Sequence, residues 1–340
     1  MNILVRVDSY PEIALGHLNR CIKLSASLRE YGHNITFISY DDSAAKELLY
    51  ETDFDCKFVP FKINDQQGRR EEFSQLEIFS DSIDLVLVDS YNVDKTYFDM
   101  LYKYFPSIVY LDDLGLNFDV DLVINPSCKA IEIGYIAKRS LCGMQYVILS
   151  DEYRMGRTEV LDTKRRSILV TMGGIDHYDL SSRVIPILEK ISPKIEVNIV
   201  VGPYYENIES IRIAVQKSCL KINVFKKISN IAPIILESNI ALTAGGFTAY
   251  ELAAMSTPAV GVALWENQYN NIECLSNQGA LIPLYYCQSR EFDHKLFESL
   301  SVLMSDNNLL TSMSVNARNA VDGEGANRIS RKITQYYDCR

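Results

Sequence analysis

The sequence predicts an α/β protein made of two Rossmann-like domains that face each other across a cleft. Three observations lead there. Short apolar runs of strand type alternate with helical stretches along most of the chain. The alternation stops in a charged stretch at 151–167, "DEYRMGRTEVLDTKRRS", and then restarts, which marks that stretch as a linker. The chain has 340 residues, more than one compact core usually holds.

In the first half, "NILVRVD" (2–8) reads as a strand. Residues 17–30 carry Leu18, Cys21, Ile22, Leu24, Ala26 and Leu28 at helical spacing. "NITFIS" (34–39) is the next strand. "DLVLVDS" (84–90) is almost continuously apolar, as expected of a strand covered on both faces of a parallel sheet. "SIVYLDD" (107–113) and "DLVINPS" (121–127) repeat the design. Polar residues gather where these strands end, at Asp8, Asp89, Asp112, Asp113 and Asn125. In open α/β sheets that edge receives ligands.

After the linker come "SILVTMGG" (167–174), a helix over 180–189, "IEVNIVVG" (195–202) and a helix near 206–217. "INVFKK" (222–227), "NIALTAGG" (239–246), a helix opening at Phe247 and "PAVGVAL" (258–264) follow, and the end of the chain is mostly helical. The expected division is 1–155 for the first domain, 165–325 for the second and 326–340 for a C-terminal helix.

Composition narrows the function. Acidic residues outnumber basic ones, 44 to 34, for a net charge of −10. That balance disfavours nucleic acid or an anionic membrane as the main partner. None of the eight cysteines forms a C-x-x-C pair, so no zinc site is expected, and free thiols fit better than disulfides. No metal-ligand cluster and no cofactor motif is visible. The opening residues read as a charged strand, not a secretory leader, and no run reaches the ~20 apolar residues of a membrane span. The expectation is a cytoplasmic protein without stable membrane insertion, its oligomeric state left open.

Two segments suggest chemistry. "EIALGHLNRC" (12–21) places Gly16 and His17 where a strand hands over to a helix, with Arg20 three residues on. His17 is one of four histidines; it either faces the cleft or simply packs at the helix start. "TAGGFTAYE" (243–251) ends a strand in Gly245 and Gly246 and starts a helix around Thr248. Glycines let backbone N–H groups approach an anion, and a helix start favours negative charge. "TMGGID" (171–176) supplies a second such turn with Gly173 and Gly174. Together they read as a phosphate cradle; a tight strand-to-helix turn is the plainer reading of each alone. Glu251, one turn into the helix, could accept hydrogen bonds from a ribose diol or be a solvated helix residue. Asn267 and Gln268 in "WENQYNN" (265–271) open another helix, where amides can read sugar hydroxyls or cap the helix.

The segments "RVDSYPEIALGHLNR", "VDSY", "LDD", "LSDEY", "MGGID", "TAGGFTAYEL" and "ENQ" occur in this order over most of the chain. The set resembles a family of nucleotide-sugar hydrolases of pseudaminic acid biosynthesis, whose activity is UDP-2,4-diacetamido-2,4,6-trideoxy-β-L-altropyranose hydrolase. That family is similar to the GT-B glycosyltransferases. The resemblance implies a UDP-sugar substrate, with His17 holding or activating the attacking water and Tyr91 and Asn267 near the reacting sugar. It further implies that Glu251 and the glycines of the second domain hold the UDP. Two positions depart from the family pattern: Ala14 stands where Gly is usual, and Ser150 where Arg is common.

The chemistry is consistent with these residues. A sugar joined through C1 to a diphosphate already has a good leaving group, and the glycine turns would stabilise the charge that builds on it. A histidine can accept the proton of a water placed opposite, with inversion at C1 and without a metal. Asp8, at the end of the first strand, is the alternative base. The rival readings are a glycosyltransferase of the same fold, with an acceptor hydroxyl in place of water, and a non-catalytic nucleotide-sugar sensor.

Overall fold

The computed structural model describes residues 1–10, 15–64, 66–159, 167–202, 204–226, 228 and 230–337, without the side chains of Thr158, Glu159 and Asn267. Glu12 and Ala14 therefore lie outside the described residues. The chain forms two compact units, Met1–Ser150 with Glu324–Arg340, and Asp151–Gly323.

The first unit runs β1 (Asn2–Val7), α1 (Gly16–Glu30), β2 (Asn34–Tyr40), α2 (Ser43–Tyr50), β3 (Asp55–Val59), α3 (Gln66–Leu76), β4 (Leu85–Asp89), α4 (Lys95–Leu101), β5 (Ile108–Leu111), β6 (Leu122–Asn125) and β7 (Ser140–Cys142). The second runs α5 (Asp151–Glu159), β8 (Ser167–Thr171), α6 (Leu180–Arg183), α7 (Ile185–Ile191), β9 (Glu196–Val201), α8 (Ile208–Lys217), β10 (Lys221–Lys226), α9 (Ala232–Glu237), β11 (Ser238–Ala244), α10 (Phe247–Ala254), β12 (Ala259–Val262), α11 (Glu266–Asn277), β13 (Leu281–Leu284), α12 (Phe292–Ser305) and α13 (Asn307–Ala320). α14 (Gly325–Tyr337) closes the chain.

Each unit carries one wholly parallel sheet. The strand order is β3-β2-β1-β4-β5-β6-β7 in the first and β10-β9-β8-β11-β12-β13 in the second. In both, the order of connection reverses once, between β1 and β4 and between β8 and β11. Helices diverge there, which opens a crevice at the C-terminal ends of those strands.

The cores follow from the pleat. On β1, Ile3, Val5 and Val7 face Leu18, Leu24 and Leu28 of α1. Leu4 faces the opposite way, into a cluster with Val86, Val88, Phe73 and Phe98. Arg6 shares that second face and is buried there. α14 returns to the first unit: Ile329, Ile333 and Tyr337 join the α1 cluster. Ser27 donates to Asn327 at 3.0 Å, and His33 Nε2 lies 2.8 Å from the Thr334 hydroxyl. His33 is thus a tie between the first strand-helix unit and the last helix.

Several expectations change. Residues 151–159 are not a linker but helix α5, whose Tyr153 is buried; 160–166 lie outside the described residues. The helix expected over 180–189 is two helices, because Pro186 at the start of α7 has no N–H to continue the ladder from α6. Cys21, Cys56, Cys142, Cys219 and Cys287 are free.

Docking of α14 rests on apolar burial, so Ile329→Ala, at a fully buried position, is expected to destabilise the first unit by about 2–5 kcal/mol. Urea melts check this; an unchanged transition would show that α14 contributes little to that core.

Candidate active site

The edge of the first sheet at the β1–β4 reversal gathers a set of buried polar side chains. α1 presents His17, Arg20 and Cys21, spaced i, i+3, i+4 and so on one helix face. All three point at Asp89, the last residue of β4. His17 Nδ1 lies 2.5 Å from Asp89 Oδ1. Arg20 grips the same carboxylate at both oxygens, Nε to Oδ2 at 2.5 Å and Nη2 to Oδ1 at 2.6 Å. Cys21 donates more weakly, Sγ to Oδ2 at 3.4 Å. Arg20 then reaches Asp113 beyond β5, Nη1 lying 2.7 and 2.6 Å from its two oxygens. Tyr91 donates to Asp113 at 3.2 Å, and its ring meets the His17 ring edge-on at 4.4 Å.

Two acceptors do not approach to 2.5 Å, so Nδ1 carries the proton in its contact with Asp89. In the neutral ring the lone pair is then on Nε2, which makes no hydrogen bond among the described residues. Only 6% of His17 is exposed. Burial acts to raise the pKa of Asp89, but the charges of Arg20 and His17 and their hydrogen bonds outweigh it and hold the carboxyl well below its usual range. Burial, with Asp89 nearby, pushes the Cys21 thiol up, so it stays protonated and is a poor nucleophile.

Asp8 lies at the neighbouring strand end in a different setting. Arg6 pairs with it and, from the other side of its guanidinium, binds Glu72 of α3 at 3.0 and 2.8 Å. Ser90 donates to Asp8 at 2.5 Å and Tyr10 at 3.1 Å. Tyr97 donates to Glu72 at 2.5 Å. Both oxygens of Asp8 are therefore occupied by donors, the surroundings of a group that pins the segments after β1 and β4.

In the second unit the two glycine turns do share one edge. β8 and β11 are neighbours, with Thr171 paired to Thr243. Gly173 adopts φ +73, open to glycine at little cost, and a Cβ there or on Gly246 would meet nothing within 4 Å. Gly245 is different: a Cβ would strike Ile272 at 2.6 Å and the Gln268 carbonyl at 2.9 Å, so this glycine lets α11 pack against the turn. Asn271 fastens the same turn, donating to the Gly245 carbonyl at 2.9 Å while accepting from Tyr250 at 2.9 Å. Thr248 sits in the first turn of α10. Glu251 is buried and hydrogen-bonded with Tyr153 of α5, not solvated. Gln268 uses its carbonyl oxygen to accept from the Leu264 N–H at 3.0 Å. Asn267 lies in the first turn of α11, its side chain outside the described residues.

The structure thus brings His17 and Tyr91 together around Asp89, with Asp8 one strand away, and the four glycines, Thr248 and Glu251 at the edge of the other sheet. Sequence reasoning noted Arg20, Asp89 and Asp113 by position without giving them a role in the site, and it did not single out Glu72 or Asn271. The role of Arg20 was findable, since i+3 from His17 shares its helix face. Glu72 lies far off in a polar helix and gave no local signal. Among the described residues no group of three or more His, Cys, Asp or Glu could hold a metal, and no helix is long and apolar enough to cross a membrane.

Two parallel sheets with reversals of this kind define a GT-B fold, and comparison with known proteins agrees. Residues 167–329 match the model of the glycosyltransferase family 28 C-terminal domain. Over its whole length the chain is 24% identical to the spore coat polysaccharide biosynthesis protein SpsG of Bacillus subtilis, covering 99% of each. It is 23% identical over 290 residues to an uncharacterised protein of Methanocaldococcus jannaschii, of which the match spans 57%. Among solved structures, MurG of Acinetobacter baumannii superposes with a TM-score of 0.74 at 16% identity, over 98% of this chain and all of that one. The UDP-GlcNAc 2-epimerase of Neisseria meningitidis bound to UDP-GlcNAc gives 0.66 at 13% identity, over 98% and 100%.

Asp89→Asn would leave the buried Arg20 with half its counter-charge and is expected to cost about 3–5 kcal/mol at neutral pH. The native carboxyl titrates below its unfolded value of ~3.9. Its stabilisation is therefore full above that pH and is lost as pH falls through the native value. Denaturant melts should show the wild-type advantage over the variant at pH 7 shrinking below pH ~4. An advantage that is absent, or grows on acidification, would contradict the ion-pair account.

Proposed function

We propose that the protein is a metal-independent hydrolase of a UDP-linked acetamido-deoxysugar, acting in the biosynthesis of a nonulosonic acid such as pseudaminic acid. The observation that carries this reading is His17, held through Nδ1 by buried Asp89 so that Nε2 is the free acceptor. The family 28 match over the second unit, the likeness to a polysaccharide biosynthesis protein and a GT-B neighbour solved with UDP-GlcNAc support a UDP-sugar as the ligand.

In this mechanism the second unit holds the nucleotide. N–H groups at Gly173, Gly174 and Gly246 and the start of α10 at Thr248 receive the diphosphate; Gly245, whose own N–H donates to the Val262 carbonyl at 3.0 Å, shapes the turn that holds it, and Glu251 receives the ribose. Asn267 and Gln268 read the sugar, Gln268 through its amide nitrogen. A water oxygen attacks C1, the bond from C1 to the β-phosphate oxygen breaks, and its electron pair leaves with UDP. The water proton passes to His17 Nε2, while Asp89 stabilises the imidazolium that forms. Backbone donors oppose the charge growing on the leaving phosphate, the larger share of the acceleration. Tyr91 packs on the ring that takes the proton. Asp8, with both oxygens engaged, positions the strand ends rather than taking the proton.

The family 28 match also favours a second reading, transfer of the sugar to an acceptor hydroxyl with the same base. Turnover without acceptor separates the two. Purified protein in EDTA is expected to release UDP from UDP-2,4-diacetamido-2,4,6-trideoxy-β-L-altropyranose with no acceptor present. His17→Asn and His17→Leu should lower kcat by at least ~10²-fold and leave UDP affinity by calorimetry nearly unchanged. UDP release only on adding an acceptor would favour transfer. Near wild-type turnover by a folded His17→Leu protein would remove His17 as the base.

A further inference from the structure

The second unit carries an aromatic rim that the reaction above does not use. Six rings gather from the segments that follow β8, β12 and β13. His177 stands four residues after Gly173 and lies 6.0 Å from the Trp265 ring and 5.1 Å from that of Tyr178. Tyr269, in the second turn of α11, stacks on Tyr285 at 5.3 Å with the planes 10° apart. Tyr286 meets Tyr269 edge-on at 6.5 Å. Gln288 Nε2 donates to the Tyr178 hydroxyl at 2.6 Å, which ties the segment after β13 to that after β8. In strand order β11, with its two glycines, lies between β8 and β12, so the rim borders the edge at which the turns stand.

Two features set this rim apart from core packing. Trp265 is 47% exposed and Tyr286 72% exposed. Tyr286 also holds φ at +57, a left-handed conformation that a bulky residue rarely adopts. A strained backbone that turns an aromatic ring toward water gains nothing from apolar burial. A ligand ring that covers it would supply that burial. The rim mixes flat apolar faces with hydroxyl, amide and imidazole groups, and Trp265 directly precedes Glu266 and Asn267 at the start of α11. A pyranose has the matching chemistry: an apolar C–H face, equatorial hydroxyls and, when acetylated, amide and methyl groups.

We propose that this rim is a carbohydrate platform that stacks the sugar of a nucleotide-sugar ligand, with Trp265 as its central ring and His177 and Tyr286 beside it. The proposal rests on the nucleotide-sugar reading and adds to it the residues that select the sugar. Trp265 is the only tryptophan in the chain, so its emission reports on the platform without any assay of turnover. The wild-type protein is titrated with UDP and with UDP-N-acetylglucosamine, by fluorescence and by calorimetry. Trp265 emission is expected to change with the sugar nucleotide and to stay constant with UDP. Trp265→Ala should weaken UDP-N-acetylglucosamine roughly 3- to 10-fold, the size of one aromatic contact, and leave UDP affinity in place. Tyr286→Ala, at an exposed position, should weaken the sugar nucleotide in the same selective way. If both ligands bind but emission and the variants do not distinguish them, the platform is overturned while the nucleotide site stands. If UDP itself does not bind, the nucleotide-sugar reading fails and the platform falls with it.

Discussion

A fully buried carboxylate is costly unless its charge is answered, and Asp89 is answered several times over. Arg20 takes both of its oxygens and His17 one of them. This single anion fixes the rotation of α1 against β4, because residues 17, 20 and 21 must all face it. It also fixes which nitrogen of His17 is protonated. The register of the helix, the orientation of the ring and the chemical character of Nε2 therefore share one cause. Arg20 extends the order to Asp113, and Tyr91 closes the circuit against both Asp113 and the His17 ring. A second buried set, Arg6 with Glu72 and Asp8, holds the same strand ends from the opposite face of the sheet.

The two units use one architectural rule for different ends. In each, the connection order of a parallel sheet reverses once, and candidate residues collect beside that reversal. In the first unit the crevice is furnished with charged side chains that orient one another. In the second it is furnished with backbone: glycines without Cβ atoms, tied down by Asn271 and by α11. Side chains suit proton transfer, and backbone N–H groups suit a diphosphate, whose charge they meet without any need to titrate.

Much of this was legible in the sequence, for physical reasons that differ by element. β1, β4, β8 and β11 are central strands covered on both faces, so their apolar runs stand out. The strands that sequence reading missed are all edge strands: β3 is half-exposed, β7 has three residues, and β13 contains Pro283, which only an edge tolerates. His17 and the glycine turns were visible because each lies within a few residues of a strand end. The Asp89 circuit was not, since its members lie up to 93 residues apart in sequence. Of the two readings of Glu251, a solvated residue or a ribose acceptor, burial removes the first; its contact with Tyr153 came from α5, a segment too charged to read as packed. The return of α14 to the first unit likewise had no local signature.

The central claim is that a water, deprotonated by His17, displaces UDP from C1 in one step. One attack by one nucleophile inverts the anomeric centre. Proton NMR of the first turnovers, read before the free sugar equilibrates between its anomers, tests this most directly. The account predicts that the sugar first released from UDP-2,4-diacetamido-2,4,6-trideoxy-β-L-altropyranose has the configuration opposite to that of the substrate at C1. Release with the configuration retained would require a double displacement or an internal return, and would contradict it.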